Sequence, residues 1–188
     1  DVERSRGLGD VYKRQVSPRP IPGVKGGIHH VTGVEHNEEG KPSEAPMNRQ
    51  NQMEKRMRKT ESLVINNPVL LNEHEDEADI LYIGFISTKG AIGEGAERLE
   101  RQGVKVNTMH IRQLHPFPKD IVQQAINKAS KVIVAEHNYQ GQLSSILKMN
   151  TQVNDKLVNQ TKYDGKPFLP YEIEEKGLEI AKELKELV

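Results

Sequence analysis

Between Asp79 and Asn138, three apolar segments alternate with two amphipathic ones, and this alternation decides what the chain can fold into. Ile80, Leu81, Ile83, Phe85 and Ile86 make a strand apolar on both faces, as a central parallel strand requires. Val104–Ile111 and Lys131–Glu136 read as the next two strands. Between them, Ile92, Ala96 and Leu99, then Ile121, Val122, Ala125, Ile126 and Ala129, recur at helical spacing. Strands that alternate with helices predict a parallel sheet covered by helices. The fold class is therefore α/β, an open and mainly parallel sheet with helices on both faces. Ligands of such domains sit at the carboxyl ends of the strands.

Local signals refine this block. Ser87 or Thr88 is placed to cap the first helix, Gly103 to end it at the C′ position, and Pro118 to start the next. Gly141–Met149 predicts a short helix with Leu143, Ile146 and Leu147 inward. Asp155–Lys162 predicts a fourth, weakly apolar strand. Tyr171–Val188 closes as an amphipathic helix carrying Ile173, Gly177, Ile180, Ala181 and Leu184.

The remainder offers little core. Only 35% of the 188 residues are hydrophobic. Before Ala78 the apolar runs are limited to Leu63–Ile65 and Val69–Leu71. Asp1–Gln15 is polar and aperiodic and reads as an adaptor-derived or disordered tail. Lacking an initiator Met, the chain reads as a C-terminal fragment. Val16–Gly27, rich in Pro and Gly, and the polar His29–Gly40 are expected to be irregular. Pro46–Leu63 predicts a charged connector helix with one modest stripe at Met53 and Met57. Asn66–Glu77 reads as an acidic linker. A poorly structured connector thus precedes the compact domain.

Composition narrows function. Lys plus Arg total 27 against 27 Asp plus Glu, so a basic nucleic-acid surface is not supported. With no Cys, the chain itself offers no disulfide, thiolate iron–sulfur ligation or cysteine nucleophile. No run approaches the ~18 apolar residues of a membrane span, and no signal-like stretch opens the chain, so the expected location is cytoplasmic.

The chemistry-bearing motifs are weak. Gly90, Gly93 and Gly95 are ordered G-x-x-G-x-G, not as a dinucleotide fingerprint, and no P-loop Lys-Ser/Thr pair follows. They read more simply as a strand-to-helix turn with close helix–sheet packing, although Ser87–Gly90 keeps an anion contact open. His29, His30 and His36, with Glu35 and Glu38 nearby, match no zinc spacing, so no metal site is assigned. His110 and His115 read as strand-end and turn residues, and Lys55–Lys59 as a solvated helix face. No nucleophile is positioned beside Glu136, His137 and Asn138, so no catalytic residue is assigned and the cofactor-binding residues are unknown.

Four phrases in consistent order carry a family resemblance: GGIHHVTGVEHNEEGKPSE, GAIGEGAERLERQGVKVNTMHIRQLHPFP, VIVAEHNYQGQL and DGKPFLPYEI. Together, across Val16 to about Lys176, they resemble the C-terminal part of the alpha subunit of 2-oxoacid:ferredoxin oxidoreductases, the 2-oxoglutarate type being nearest. The resemblance implies that residues 16–62 are the end of a domain binding the pyrimidine of thiamine diphosphate, with a connector helix. It implies a linker over 63–78, and over 79–188 a domain like the C-terminal domain of transketolase with a closing helix. The implied complex contains thiamine diphosphate with Mg and an iron–sulfur cluster, none held by this chain alone. Its implied partners are a beta subunit, ferredoxin, coenzyme A and a 2-oxoacid, with no nucleic acid and no membrane. The family's acidic, Thr and Arg site motifs would lie upstream. On this chain the expected interface residues are Thr32, Gly33, Glu35 and His36, then Ser87, Thr88, Glu136, His137 and Asn138. Two other readings stay open: a noncatalytic α/β subunit-interaction module, and the equivalent domain of a transketolase-like or branched-chain 2-oxoacid dehydrogenase subunit.

Overall fold

The computed structural model describes residues 21–30, 32–37, 40–61, 63–74 and 77–186. Asp1–Gln15, the start of the connector at Val16, and Val31, Glu38, Ser62 and Val188 therefore lie outside the described residues. The chain divides into two compact units, Asp1–Val64 and Ile65–Val188. Among the described residues, no helix is long and apolar enough to cross a membrane.

The first unit is built around α1 (Pro46–Glu61), with Pro at the first helical position, where its missing N–H costs nothing. A short turn brings His36 into bridge pairing with Pro42. Both arginines that fix this turn come from α1. Arg49 reaches Glu35 at 2.5 Å and Arg56 reaches the same carboxylate at 2.6 Å. The Arg56 and Arg49 guanidinium groups hold the Glu35 carboxyl down at about 2. Ile28, Val34, Met53 and Met57 are all exposed.

The second unit holds a five-stranded sheet among the described residues: β1 (Val69–Asn72), β2 (Ala78–Phe85), β3 (Val106–Ile111), β4 (Ala129–Glu136) and β5 (Leu157–Thr161). The spatial order is β1-β3-β2-β4-β5. β3, β2, β4 and β5 run parallel, and β1 joins the edge antiparallel to β3. The segment expected as acidic linker thus contains a strand. Its Val69 is buried against the sheet core, and the carbonyl of Pro68 accepts from Arg112 N–H at 2.9 Å.

Four helices cover the sheet: α2 (Lys89–Glu100), α3 (Lys119–Asn127), α4 (Gln142–Asn150) and α5 (Pro170–Glu186). The side-chain period of two divides the central strands cleanly. Leu81, Ile83, Val132 and Val134 face α3 and α4, packing with Val122, Ile126, Leu143 and Leu147. Ile80, Tyr82, Ile133 and Ala135 face α2 and α5, packing with Ile92, Leu99, Ile173 and Ile180. Both faces are covered by helices, which is why β2 and β4 read as continuous apolar runs.

Several local expectations change in three dimensions. Ala129 opens β4 rather than extending α3. On α4 it is Ser144, not Ile146, that is buried beside Leu143 and Leu147. Gly103, by contrast, ends α2 as expected of a C′ glycine: at φ +81 its N–H donates to the Glu100 carbonyl at 2.9 Å, and the Val104 N–H donates to the Leu99 carbonyl at 3.2 Å. Gly95 serves helix–helix rather than helix–sheet packing: a Cβ there would sit 2.6 Å from Ile173 Cβ and 3.0 Å from the Pro170 carbonyl. Gly177 on α5 faces the Leu99 side chain of α2.

Candidate functional site

The connection out of β2 leads to α2 on one face of the sheet, and that out of β4 leads to α4 on the other. Adjacent parallel strands whose connections part in this way leave a crevice beyond their carboxyl ends, where α/β domains bind ligands. A crevice of 470 Å³ opens there. Ser87 lines it from beyond β2 and His137 from beyond β4. Lys162, Tyr163, Lys166 and the adjoining Gly165 and Pro167 line it from beyond β5.

The wall beneath is made rigid by Glu136, the last residue of β4. Its buried carboxylate accepts from the backbone N–H of Leu143 (2.7 Å) and Ser144 (3.1 Å), from Ser144 Oγ (2.8 Å) and from Asn138 Nδ2 (2.7 Å). A negative charge thus occupies the positive end of α4. Asn138 Oδ1 accepts from the Gly141 and Gln142 N–H groups, completing the turn. Gly141 has φ +71, and a Cβ on it would lie 2.9 Å from Asn159 Nδ2, so glycine is required on two counts.

The opposite wall is held by Glu172. Pro170 begins α5, so Glu172 is the third helical residue, and it accepts from the Leu169 N–H at 2.7 Å, one half of a capping box. The same carboxylate takes Lys162 Nζ at 2.6 and 2.7 Å. Lys162 holds the Glu172 carboxyl below its ordinary value, against burial, with help from the Leu169 N–H. Lys162 Nζ also lies 5.8 Å from the Phe168 ring centroid, and the exposed His137 ring packs 4.8 Å from that ring at 42°.

Of the residues expected at an interface, the fold brings Ser87 and His137 to this crevice. Thr88 and Glu136 are internal, 2% and 5% exposed, and offer a neighbour no surface. Nor does the Thr88 hydroxyl cap α2. It turns back on the strand end, donating to the Phe85 carbonyl at 3.3 Å and accepting from the Phe85 N–H at 3.1 Å. Asn138 is half-buried and committed to its turn. Thr32, Gly33, Glu35 and His36 belong to the first unit. There Glu35 is engaged by arginine, and His36 Nδ1 donates to the Val34 carbonyl at 3.0 Å. Among the described residues no three His or acidic side chains gather as metal ligands. Sequence reasoning missed Lys162, Tyr163, Lys166 and Glu172. The Asp164-Gly165 turn followed by Pro167 marks their loop, but nothing local marks Glu172 as the partner of a lysine ten positions earlier.

Residues 78–171, from β2 to the start of α5, match the family described as pyruvate:ferredoxin oxidoreductase core domain II. The chain belongs to that family. It is 34% identical over 149 residues to the 2-oxoacid:ferredoxin oxidoreductase subunit alpha of Saccharolobus solfataricus, covering 78% of this chain and 23% of that protein. It is 33% identical over 154 residues to the 2-oxoglutarate oxidoreductase subunit KorA of Mycobacterium tuberculosis, covering 81% of this chain and 23% of the relative. Among solved structures, the 2-oxoglutarate:ferredoxin oxidoreductase of Magnetococcus marinus, with 2-oxoglutarate, coenzyme A and succinyl-CoA bound, superposes with a TM-score of 0.75 at 33% identity. That match covers 94% of this chain and 30% of the other. A split-gene transketolase shares the fold alone, with a TM-score of 0.50 at 11% identity over 64% of this chain and 44% of its own. The chain therefore spans about a quarter of the length of the curated relatives it matches.

Proposed function

We propose that this chain is part of the alpha subunit of a thiamine-diphosphate-dependent 2-oxoacid:ferredoxin oxidoreductase. The reaction of the whole complex is oxidative decarboxylation of a 2-oxoacid, with 2-oxoglutarate favoured. The bond to the carboxylate breaks and CO₂ leaves, the acyl group passes to the sulfur of coenzyme A with release of the thiol proton, and the two electrons left behind pass to ferredoxin. The observation that carries this reading is the likeness, over 94% of the chain, to an oxidoreductase solved with 2-oxoglutarate and coenzyme A.

Thiamine diphosphate supplies the nucleophilic carbon and electron sink for such chemistry. The donor set on this chain does not fit its metal or an iron–sulfur cluster: there is no Cys in the sequence, and no ligand cluster among the described residues. The cofactor, Mg and cluster belong to other parts of the complex, chiefly a beta subunit. Residues 16–62 read as the end of the pyrimidine-binding domain and connector, and the α/β unit as a packing and assembly domain. A cytoplasmic location goes with this reading.

The test is co-expression of the complete alpha reading frame with its beta partner. Coenzyme A-dependent reduction of ferredoxin by 2-oxoglutarate is expected, while this chain alone gives none. Removing the α/β unit should abolish co-purification of the two subunits. Full activity and assembly without it would overturn the assembly role, and acceptor reduction by the isolated chain would overturn the assignment of the chemistry elsewhere.

A further inference from the structure

We propose that the crevice beyond β2, β4 and β5 binds a nucleoside phosphate, its phosphate held by Lys166 and Ser87 and its base stacked on Tyr163. The inference rests on the geometry of the crevice and not on the enzyme class. The parting connections after β2 and β4 place it where doubly wound sheets bind phosphorylated ligands. Its volume of 470 Å³ suits a ligand of nucleotide size.

The two halves of such a ligand find different chemistry. Lys162 is neutralised by Glu172 and serves to hold the wall. Lys166 is not so committed. Its loop neighbour Asp164 accepts the Lys166 backbone N–H at 3.0 Å and lies near enough for its charge to act on both Lys162 and Lys166, but Lys166 Nζ closes no ion pair among the described residues. The N-terminus of α4 is already occupied by the Glu136 carboxylate. The first turn of α2, which begins at Lys89 after Ser87 and Thr88, holds no acidic residue. An anion on the Ser87 side therefore meets no carboxylate from that turn. For the base there is Tyr163, which lines the crevice yet is 64% exposed. Tyr139 packs edge-on against it at 4.9 Å and 73°, which steadies the Tyr163 ring. A stacked, rigid aromatic face is what a purine needs. Between β2 and Ser87 sits Ile86 at φ +55, a conformation that a β-branched residue adopts only under constraint.

NMR amide-shift mapping on the chain, with ADP as the probe, tests this. Adenosine and inorganic phosphate are separate arms. Saturable shifts at Ser87, His137, Tyr163 and Lys166 are expected with ADP, at lower affinity with either half alone. Tyr163→Ala should weaken ADP roughly tenfold, the loss of one base stack, and leave phosphate affinity unchanged. Lys166→Ala should weaken both, and Lys185→Ala neither. These side chains are exposed, so unchanged amide shifts elsewhere verify the fold. Coenzyme A, which carries adenosine diphosphate at one end, is the last arm. Tighter binding than ADP assigns the site to a coenzyme, and equal binding to a free nucleotide. Shifts that never saturate, phosphate binding as tightly as ADP, or affinity indifferent to both Tyr163→Ala and Lys166→Ala would overturn the proposal. None of those results would bear on the family or on the reaction proposed for the complex.

Discussion

At the scale of single residues, polar groups at the strand ends are spent on structure. Glu136 is the clearest case. Replacing it with Ala strips the acceptor from the buried Leu143 and Ser144 N–H groups and from Asn138. Glu136→Ala is expected to cost about 3 kcal/mol in a urea titration, since hydrogen bonds to a charged acceptor are lost and buried donors go unpaired. Ser144→Ala, which removes one of those donors and leaves no orphan, should cost about 1 kcal/mol. Equal losses would mean the carboxylate is not the hub. Glu172 sets a pH response. Its folded pKa lies below the ordinary value of 4.5 because Lys162 stabilises the charged form. The stability it contributes is therefore complete above pH 4.5 and is lost as pH falls through the lowered folded value. Glu172→Gln should lower the urea midpoint at neutral pH and flatten the fall in stability below that range. A variant whose acid limb matches the wild type would show the pair contributes nothing.

At the scale of elements, α2 and α5 meet through reciprocal notches, and the two notches are not equivalent. At Gly95 an added methyl meets the Ile173 Cβ and the Pro170 carbonyl, both fixed close to the backbone. At Gly177 it meets the far end of the flexible Leu99 side chain. Gly95→Ala should destabilise by about 2 kcal/mol through overpacking, despite the better helix propensity of Ala. Gly177→Ala should cost less, because Leu99 can rotate away. Thermal unfolding of the two variants decides it, and the reverse order would mean that α5 slides as a unit to relieve the clash. The Tyr82 hydroxyl, donating to the Ile173 carbonyl at 2.7 Å, ties α5 to the central strand. Burial, with the charge of Glu179 behind it, pushes that phenol well above its ordinary pKa, so it stays a donor.

For the whole molecule, the boundary of the resistant core tests how the chain is divided. The expected start at Asp79 treats everything before it as linker, yet β1 pairs with β3 through Val69↔Ile111 and Leu71↔Met109. Limited proteolysis should concentrate between residues 21 and 64 and leave a fragment that begins near Ile65. A fragment starting at Asp79 would show that the antiparallel edge strand frays. Uniform resistance along the chain would show that the first unit, with its Glu35–Arg49–Arg56 cluster, is as firm as the second.

The alternation from Asp79 to Asn138 carries its own instructions, because strand and helix periods are local and buried parallel strands must be apolar throughout. That is why the α/β class, the parallel neighbours of β2, the stripes of α2 and α5, and Val122, Ala125 and Ile126 of α3 are readable from residues alone, whereas Ile121 is exposed. Four in-order phrases were enough to point to the family. What tertiary structure decided involves partners far apart in the chain. β1 has only four residues and no period to betray it, and exists because β3 offers an open edge. Ser144 outranks Ile146 for the interior of α4 because a buried Glu136 needs its hydroxyl. Gly95 is small for the sake of Ile173, which lies 78 positions later. The crevice, finally, is assembled from three strand ends and a loop. No periodicity encodes that meeting, because it follows from two connections leaving a twisted sheet toward opposite faces.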